Sequence, residues 1–184
     1  MDPTLMVYRA RLQPDEDGSL IVRFPEWPEA LTGGKDRADA LAEARDCLNA
    51  AILARIEDGE GLPEPVPAGK GEYAIAPFAM AAFKAALHRA MKEVRISVAE
   101  LARRMAIEHK EARRLLDPYE PTKIQRMEQA LSCVDREVII LVQAGQGEAR
   151  GHAAIRHGFS RAKVRTKVRP RRGSVMRNSQ RRAS

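Results

Sequence analysis

The chain has 184 residues, 44% of them hydrophobic and 31% charged, with a formal net charge of +7. That length suits one domain or two small ones, and the composition is that of a globular chain rather than a disordered one. No apolar run approaches the ~20 residues of a membrane span, and two cysteines, Cys47 and Cys133, are too few for a disulfide scaffold or a cysteine-rich zinc site.

The positive charge is unevenly spread. Residues 1–70 hold 8 Lys/Arg against 14 Asp/Glu, residues 71–146 hold 12 against 10, and residues 147–184 hold 12 against 1. An acidic front, a balanced middle and a basic end predict different partners for different parts. The acidic front is expected to attract a basic protein and to repel nucleic acid. The start, Met1-Asp2-Pro3-Thr4, is not a basic region leading into an apolar one, so no secretory signal is expected. Both cysteines fall in helix-like patterns and are expected to be buried thiols in a reducing cytoplasm.

In chain order, residues 4–13 and 19–24 are short, apolar and β-branched, and the turn sequence Pro14-Asp15-Glu16-Asp17-Gly18 separates them. They predict a β-hairpin. The prolines of Phe24-Pro25-Glu26-Trp27-Pro28-Glu29 are expected to break the ladder, and Ala30–Gly34 to form a short third strand. A helix follows, capped by Asp36, with Leu41, Ala44, Leu48, Ala51, Ile52 and Ile56 on one face and Gly59 as its stop. Residues 61–69 are proline-rich and extended, and Glu72–Ala76 is expected to return as a strand. The expected front unit, residues 1–76, is thus a small antiparallel sheet covered by one helix, in a chain of α+β class.

From Pro77 the pattern is helical. Met80, Phe83, Leu87, Ala90, Met91 and Val94 form the first apolar stripe. The segment from Val98 to Leu115 then carries a helix-turn-helix pattern. Leu101 and Met105 face inward, Ala102 sits at the crossing, Ala106 and Ile107 make the turn, and Ala112 and Leu115 are the buried positions of the second helix. Ser97 is placed to cap the first helix. The second helix of such a pair enters the major groove. Its exposed residues Glu108, His109, Lys110, Arg113 and Arg114, with Ser97 and Lys123 at flanking helix starts, are the expected DNA-facing set, since Arg and Lys pair with guanine edges. Two positions depart from the pattern. Ala106 stands where glycine is usual, at a cost of roughly 1 kcal/mol if the backbone turns left-handed, and Glu108 is a poor N-cap close to phosphates. A further amphipathic helix holds Ile124, Met127, Ala130 and Leu131. The run Val138–Val142 is apolar and β-branched and predicts a strand able to pair with its copy in a second chain. Residues 77–145 are therefore expected to bind DNA and to dimerise.

The front hairpin, the stretch FPEWPEALTGG, the helix LAEARDCLNAAI and the loop GLPEPVP resemble the N-terminal domain of HicB antitoxins. Ser97–Val134 resembles the phage-repressor-type helix-turn-helix at the C-terminus of one branch of that family. The family's Pro-Glu-Ala-Leu-Thr segment matches Pro28-Glu29-Ala30-Leu31-Thr32, its glycine turn Gly33-Gly34, and its helix cap Asp36. The resemblance covers roughly residues 4–144. It implies a reduced RNase H-like front fold, binding to HicA, a small basic RNA-cleaving toxin, and repression of the protein's own operon at a palindromic double-stranded operator by a homodimer or higher even oligomer. On that reading Glu26, Trp27 and Glu29 face the toxin, with Trp27 either a binding anchor or a lid on the core.

Catalysis is not expected. RNase H-type nucleases need carboxylates converging on Mg²⁺, one of them on the first strand, and residues 4–13 contain none. No nucleophile triad, P-loop or metal-ligand spacing is present, and no cofactor is implied. His88, His109, His152 and His157 are scattered. The basic residues 146–184 read as a disordered tail with three open readings: a polybasic arm on nucleic acid, attraction to the acidic front, or an unselected extension. A stand-alone phage-type repressor without a toxin, or a nucleic-acid-packaging protein, are the competing functions.

Overall fold

The structure is a computed structural model and describes residues 5–141. Four strands, β1 (Tyr8–Pro14), β2 (Leu20–Phe24), β3 (Trp27–Gly34) and β4 (Tyr73–Ile75), form one antiparallel sheet in the order β3-β2-β1-β4. Five helices accompany it: α1 (Arg37–Glu57), α2 (Ala79–Glu93), α3 (Val98–Met105), α4 (His109–Leu116) and α5 (Ile124–Ser132). The α+β class expected from the sequence is the class observed.

Sheet alternation places Tyr8 and Ala10 of β1 and Val22 and Phe24 of β2 on the side covered by α1. Asp36 caps α1 by accepting from the Asp39 backbone N–H at 2.9 Å. Ala40, Ala44, Leu48, Ala51, Ile52, Leu53 and Ile56 of α1 close the core. The entry to α1 is tight. A Cβ on Gly34 would lie 2.3 Å from the Ala40 nitrogen, so only glycine lets β3 run this close to the helix.

Three expectations are corrected. Regular pairing in β1 starts at Tyr8, while residues 5–7 carry no regular structure and 1–4 lie outside the described residues. The third strand starts at Trp27, not Ala30, because Phe24 pairs directly with Trp27 across Pro25-Glu26, and the register then shifts. Pro28 is accommodated because β3 is an edge strand with an irregular ladder at that point, where a missing N–H costs little. Helix α2 starts at Ala79, two residues after Pro77, with Phe78 extended before it.

A second core is built from Phe83, Leu87, Ala90 and Met91 of α2, Leu101 of α3, Leu115 of α4, Met127, Ala130 and Leu131 of α5, and Val134. Helix α2 belongs to both cores, since Ala81 and Ala85 lie in the first cluster. The link between the halves, residues 59–64, is held by its carbonyls. Lys92 Nζ donates to Gly59 O at 2.7 Å, His88 Nε2 lies 2.7 Å from Glu60 O, Arg55 donates to Gly61 O at 3.0 Å, and Arg89 to Pro63 O at 2.9 Å. The strand expected at Val138–Val142 is not formed in the single chain. Residues 136–141 have no regular secondary structure, and Val142 lies outside the described residues. A strand requires a ladder partner, which an isolated chain does not offer there. The basic end, 146–184, also lies outside the described residues.

Candidate functional site

Helices α3 and α4 form the pair that the spacing predicts. Ser97 caps α3 by accepting from the Glu100 N–H at 3.2 Å. Glu100 pairs with Arg103 at 2.7 Å and Arg104 at 2.9 Å, so hydrogen bonds from Arg103 first, then Arg104, pull its carboxyl down to about 2. The helix ends on Ala106 at φ 52°, ψ 45°, the left-handed turn for which glycine is usual. Ile107 N–H returns to Ala102 O at 3.0 Å and closes the turn. Glu108 is extended and makes no side-chain cap.

Leu101, Ala112 and Leu115 are buried, so α4 points its other side outward. His109, Lys110, Arg113 and Arg114 are all exposed there, and Glu108 lies just before them. Arg114 is held by Glu120 at 2.5 Å, while Lys110 and Arg113 carry no ion pair among the described residues. Arg126 of α5 is paired with Glu111, so that carboxylate is neutralised beside the cationic face. Lys123 is exposed at the start of α5. Of the predicted set, His109, Lys110, Arg113 and Arg114 share α4 and Glu108 precedes it, whereas Lys123 lies at the start of α5 and Ser97 is committed to capping α3.

The residue that fixes α4 is one that sequence reasoning missed. Lys84 of α2 is 3% exposed. Its ammonium donates to Leu115 O at 3.1 Å, to Asp117 O, to Glu120 O at 3.0 Å and to Thr122 Oγ1 at 3.3 Å. It thus caps the end of α4, where carbonyls lack helical donors, and fixes the loop into α5. Burial pushes its pKa down, with Asp117 and Glu120 acting against that shift. A lysine one residue after Phe83 and three before Leu87, inside an apolar stripe, was the available signal.

On the front half, Trp27 is fully enclosed. Its ring meets Tyr8 edge-on at 5.2 Å and lies under the Arg55 guanidinium at 5.0 Å. The core role is the observed one, and the toxin-facing assignment of Trp27 is corrected, since a side chain with no exposed surface offers none to a partner. Glu26 accepts from Arg9 at 2.6 Å, and Glu29 accepts twice from Arg55 at 2.5 and 3.1 Å. For Glu29, burial opposes ionisation, but the Arg55 hydrogen bond prevails and holds the carboxyl below its ordinary value. Tyr8 is pushed up to about 12 by burial. Both cysteines are half-buried free thiols, and burial raises the pKa of Cys47. Among the described residues no group of His, Cys, Asp and Glu is arranged to hold a metal ion, and no helix is long and apolar enough to cross a membrane.

A sheet covered by α1 and a helical group containing the α3–α4 pair share helix α2. Residues 7–86 match the family described as HicB_like antitoxin of bacterial toxin-antitoxin system. The chain is 33% identical to Antitoxin HicB 1 of Photorhabdus laumondii over 75% of its own length and 88% of that protein. It is 36% identical to Antitoxin HicB 2 of the same organism, over 72% and 94%. It is 32% identical to Antitoxin HicB of Escherichia coli K12, over 74% and 99%. The chain belongs to the HicB antitoxin family, whose role is non-catalytic, and it is not an enzyme.

Proposed function

We propose that this antitoxin neutralises a small basic HicA-like toxin by direct binding and represses its own operon through α3 and α4. The observation that carries the second half is the exposed, cationic side of α4, with Lys110 and Arg113 open to solvent beside His109 and in no ion pair among the described residues. Two such helices about one DNA turn apart, related by a two-fold axis, read a palindromic operator. A homodimer or higher even oligomer supplies them. Ile139, Ile140 and Leu141, 65–76% exposed in the single chain, support an assembly that covers them.

Support for toxin binding comes from the family and from the acidic front half. Glu26 and Glu29 remain the proposed toxin-facing residues, presented in fixed positions by Arg9 and Arg55. A basic partner offers each carboxylate a second cation. The complex acts in the cytoplasm, where both its operon and its toxin's RNA lie.

The test is co-expression with the small open reading frame beside the gene. We expect the neighbour to be toxic alone and to co-purify harmlessly with this chain. Arg113→Ala is expected to weaken operator binding about tenfold or more while leaving toxin neutralisation intact. Loss of both together refutes separate surfaces. Operator protection with no bound neighbour leaves a stand-alone repressor.

A further inference from the structure

Two apolar surfaces stand open among the described residues, and their charges are opposite. The first is a groove of about 570 Å³ where the two halves meet. Ile56 of α1, Leu87 and Met91 of α2, Ile96, Val98 of α3 and Leu116 of α4 give it apolar walls. Its charged lining is Lys84, Lys92 and Arg95, with no carboxylate. Lys84 and Lys92 are already committed to backbone carbonyls. Arg95 sits in the left-handed turn between α2 and α3 (φ 54°), is exposed, and carries no ion pair among the described residues.

The second surface is the run Ile139-Ile140-Leu141, 65–76% exposed. Large aliphatic side chains scattered singly on a surface need no explanation, but a contiguous run marks a place where something docks. The run starts from a fixed point, because Val138 packs against the second core and Arg136 is paired with Glu93 at 2.6 Å. Glu137 is exposed and, among the described residues, in no ion pair. A period of two puts Glu137, Ile139 and Leu141 on one side of an extended backbone, opposite the anchored Val138. The run therefore presents aliphatic side chains beside one free carboxylate, and the groove offers apolar walls beside one free guanidinium. Within the single chain the two do not meet, since no residue of 137–141 lines the groove.

We propose that two copies of this chain exchange these segments: Ile139 and Leu141 of each seat in the groove of the other, with Glu137 against the partner's Arg95. Exchange in both directions closes the assembly at two chains, whereas a one-way contact would leave a run and a groove open for further copies. The proposal rests on the assembly reading given above and names the surface that covers the run. Because Val98 of α3 and Leu116 of α4 line the groove, the same contact holds the two α3–α4 pairs in a set relation.

The experiment uses the full chain with C47A and C133A. Chains carrying E137C are mixed with tagged chains carrying R95C under mild oxidation. Both positions are exposed, so folding is not at stake. A disulfide-linked heterodimer is the expected main product. If Ile139→Cys chains cross-link to one another and the E137C–R95C product is absent, the runs pair as strands; the exchange is then overturned while the dimer stands. A chain carrying both E137C and R95C that closes on itself as a monomer overturns it as well, by placing the run in its own groove. Sedimentation equilibrium of Ile139→Asp is expected to show self-association weakened about tenfold or more, with an unchanged circular dichroism spectrum. Undiminished self-association of that variant overturns the exchange. A wild-type chain that stays monomeric at every concentration refutes both the exchange and the assembly reading.

Discussion

Replacing Lys84 by methionine removes a buried ammonium but leaves its acceptors in place. Leu115 O, Asp117 O, Glu120 O and Thr122 Oγ1 all lose a donor within 3.3 Å. Hydrogen bonds to a charged group contribute about 1.5–3 kcal/mol each, and a buried acceptor left alone costs about 1–3 kcal/mol. Against this stands relief from desolvating the ammonium, which is several kcal/mol. Breaking one side of such an arrangement leaves a net loss of about 3 kcal/mol, or roughly 6–12 °C in Tm for a chain of this size. Thermal and urea melts of Lys84→Met at pH 7 measure it. Because the folded pKa of Lys84 lies below 10.5, the unfolded chain holds the proton longer. Wild-type stability therefore gains from this group as pH rises towards 10.5, and the variant lacks that gain. A variant as stable as wild type, with the same pH profile, refutes the role given to Lys84.

Gly34→Ala is expected to destabilise the front half by about 3 kcal/mol or to prevent its folding, because the new Cβ meets backbone rather than a side chain that can move; urea denaturation reads this. Ala106→Gly relieves the left-handed turn and is expected to raise stability by about 0.5–1 kcal/mol with DNA binding intact, as seen by melting and gel shift. For Glu100, the depressed carboxyl means that its contribution to α3 is complete above 4.5 and is lost as pH falls towards about 2. Glu100→Gln is expected to abolish that acid-range transition in the Ser97 and Glu100 amide shifts followed by NMR.

Much of the fold was legible because its period is local. The cap at Asp36, the apolar face of α1 and the two short helices around Ala106 all follow from spacing and from a few small residues. Ala106 was legible even as a departure from pattern, and its φ of 52° is the backbone angle that glycine adopts most easily. The start of β3 was misjudged because a proline's effect depends on whether its strand is at the edge, which local sequence does not state. Trp27 left two readings open because proline-flanked aromatics occur both in anchors and in cores. The structure chose the core through Tyr8 and Arg55, which lie 19 and 28 positions away in sequence. Lys84, Arg9 and Arg55 were missed for the same reason, since each acquires its partners only when distant segments meet. The exposed cations of α4 were readable, because exposure there follows from helical period alone.

Helix α2 carries one consequence for how the molecule is divided. Its Ala81 and Ala85 complete the front core, while Phe83, Leu87, Ala90 and Met91 start the second. A cut after residue 76, where the start of the helical pattern places the border, would strip the front half of part of its wall. The family match itself runs on to residue 86, past both alanines. One helix thus walls both cores and also carries Lys84, whose ammonium holds the end of α4, so the two halves cannot be separated without disturbing that end.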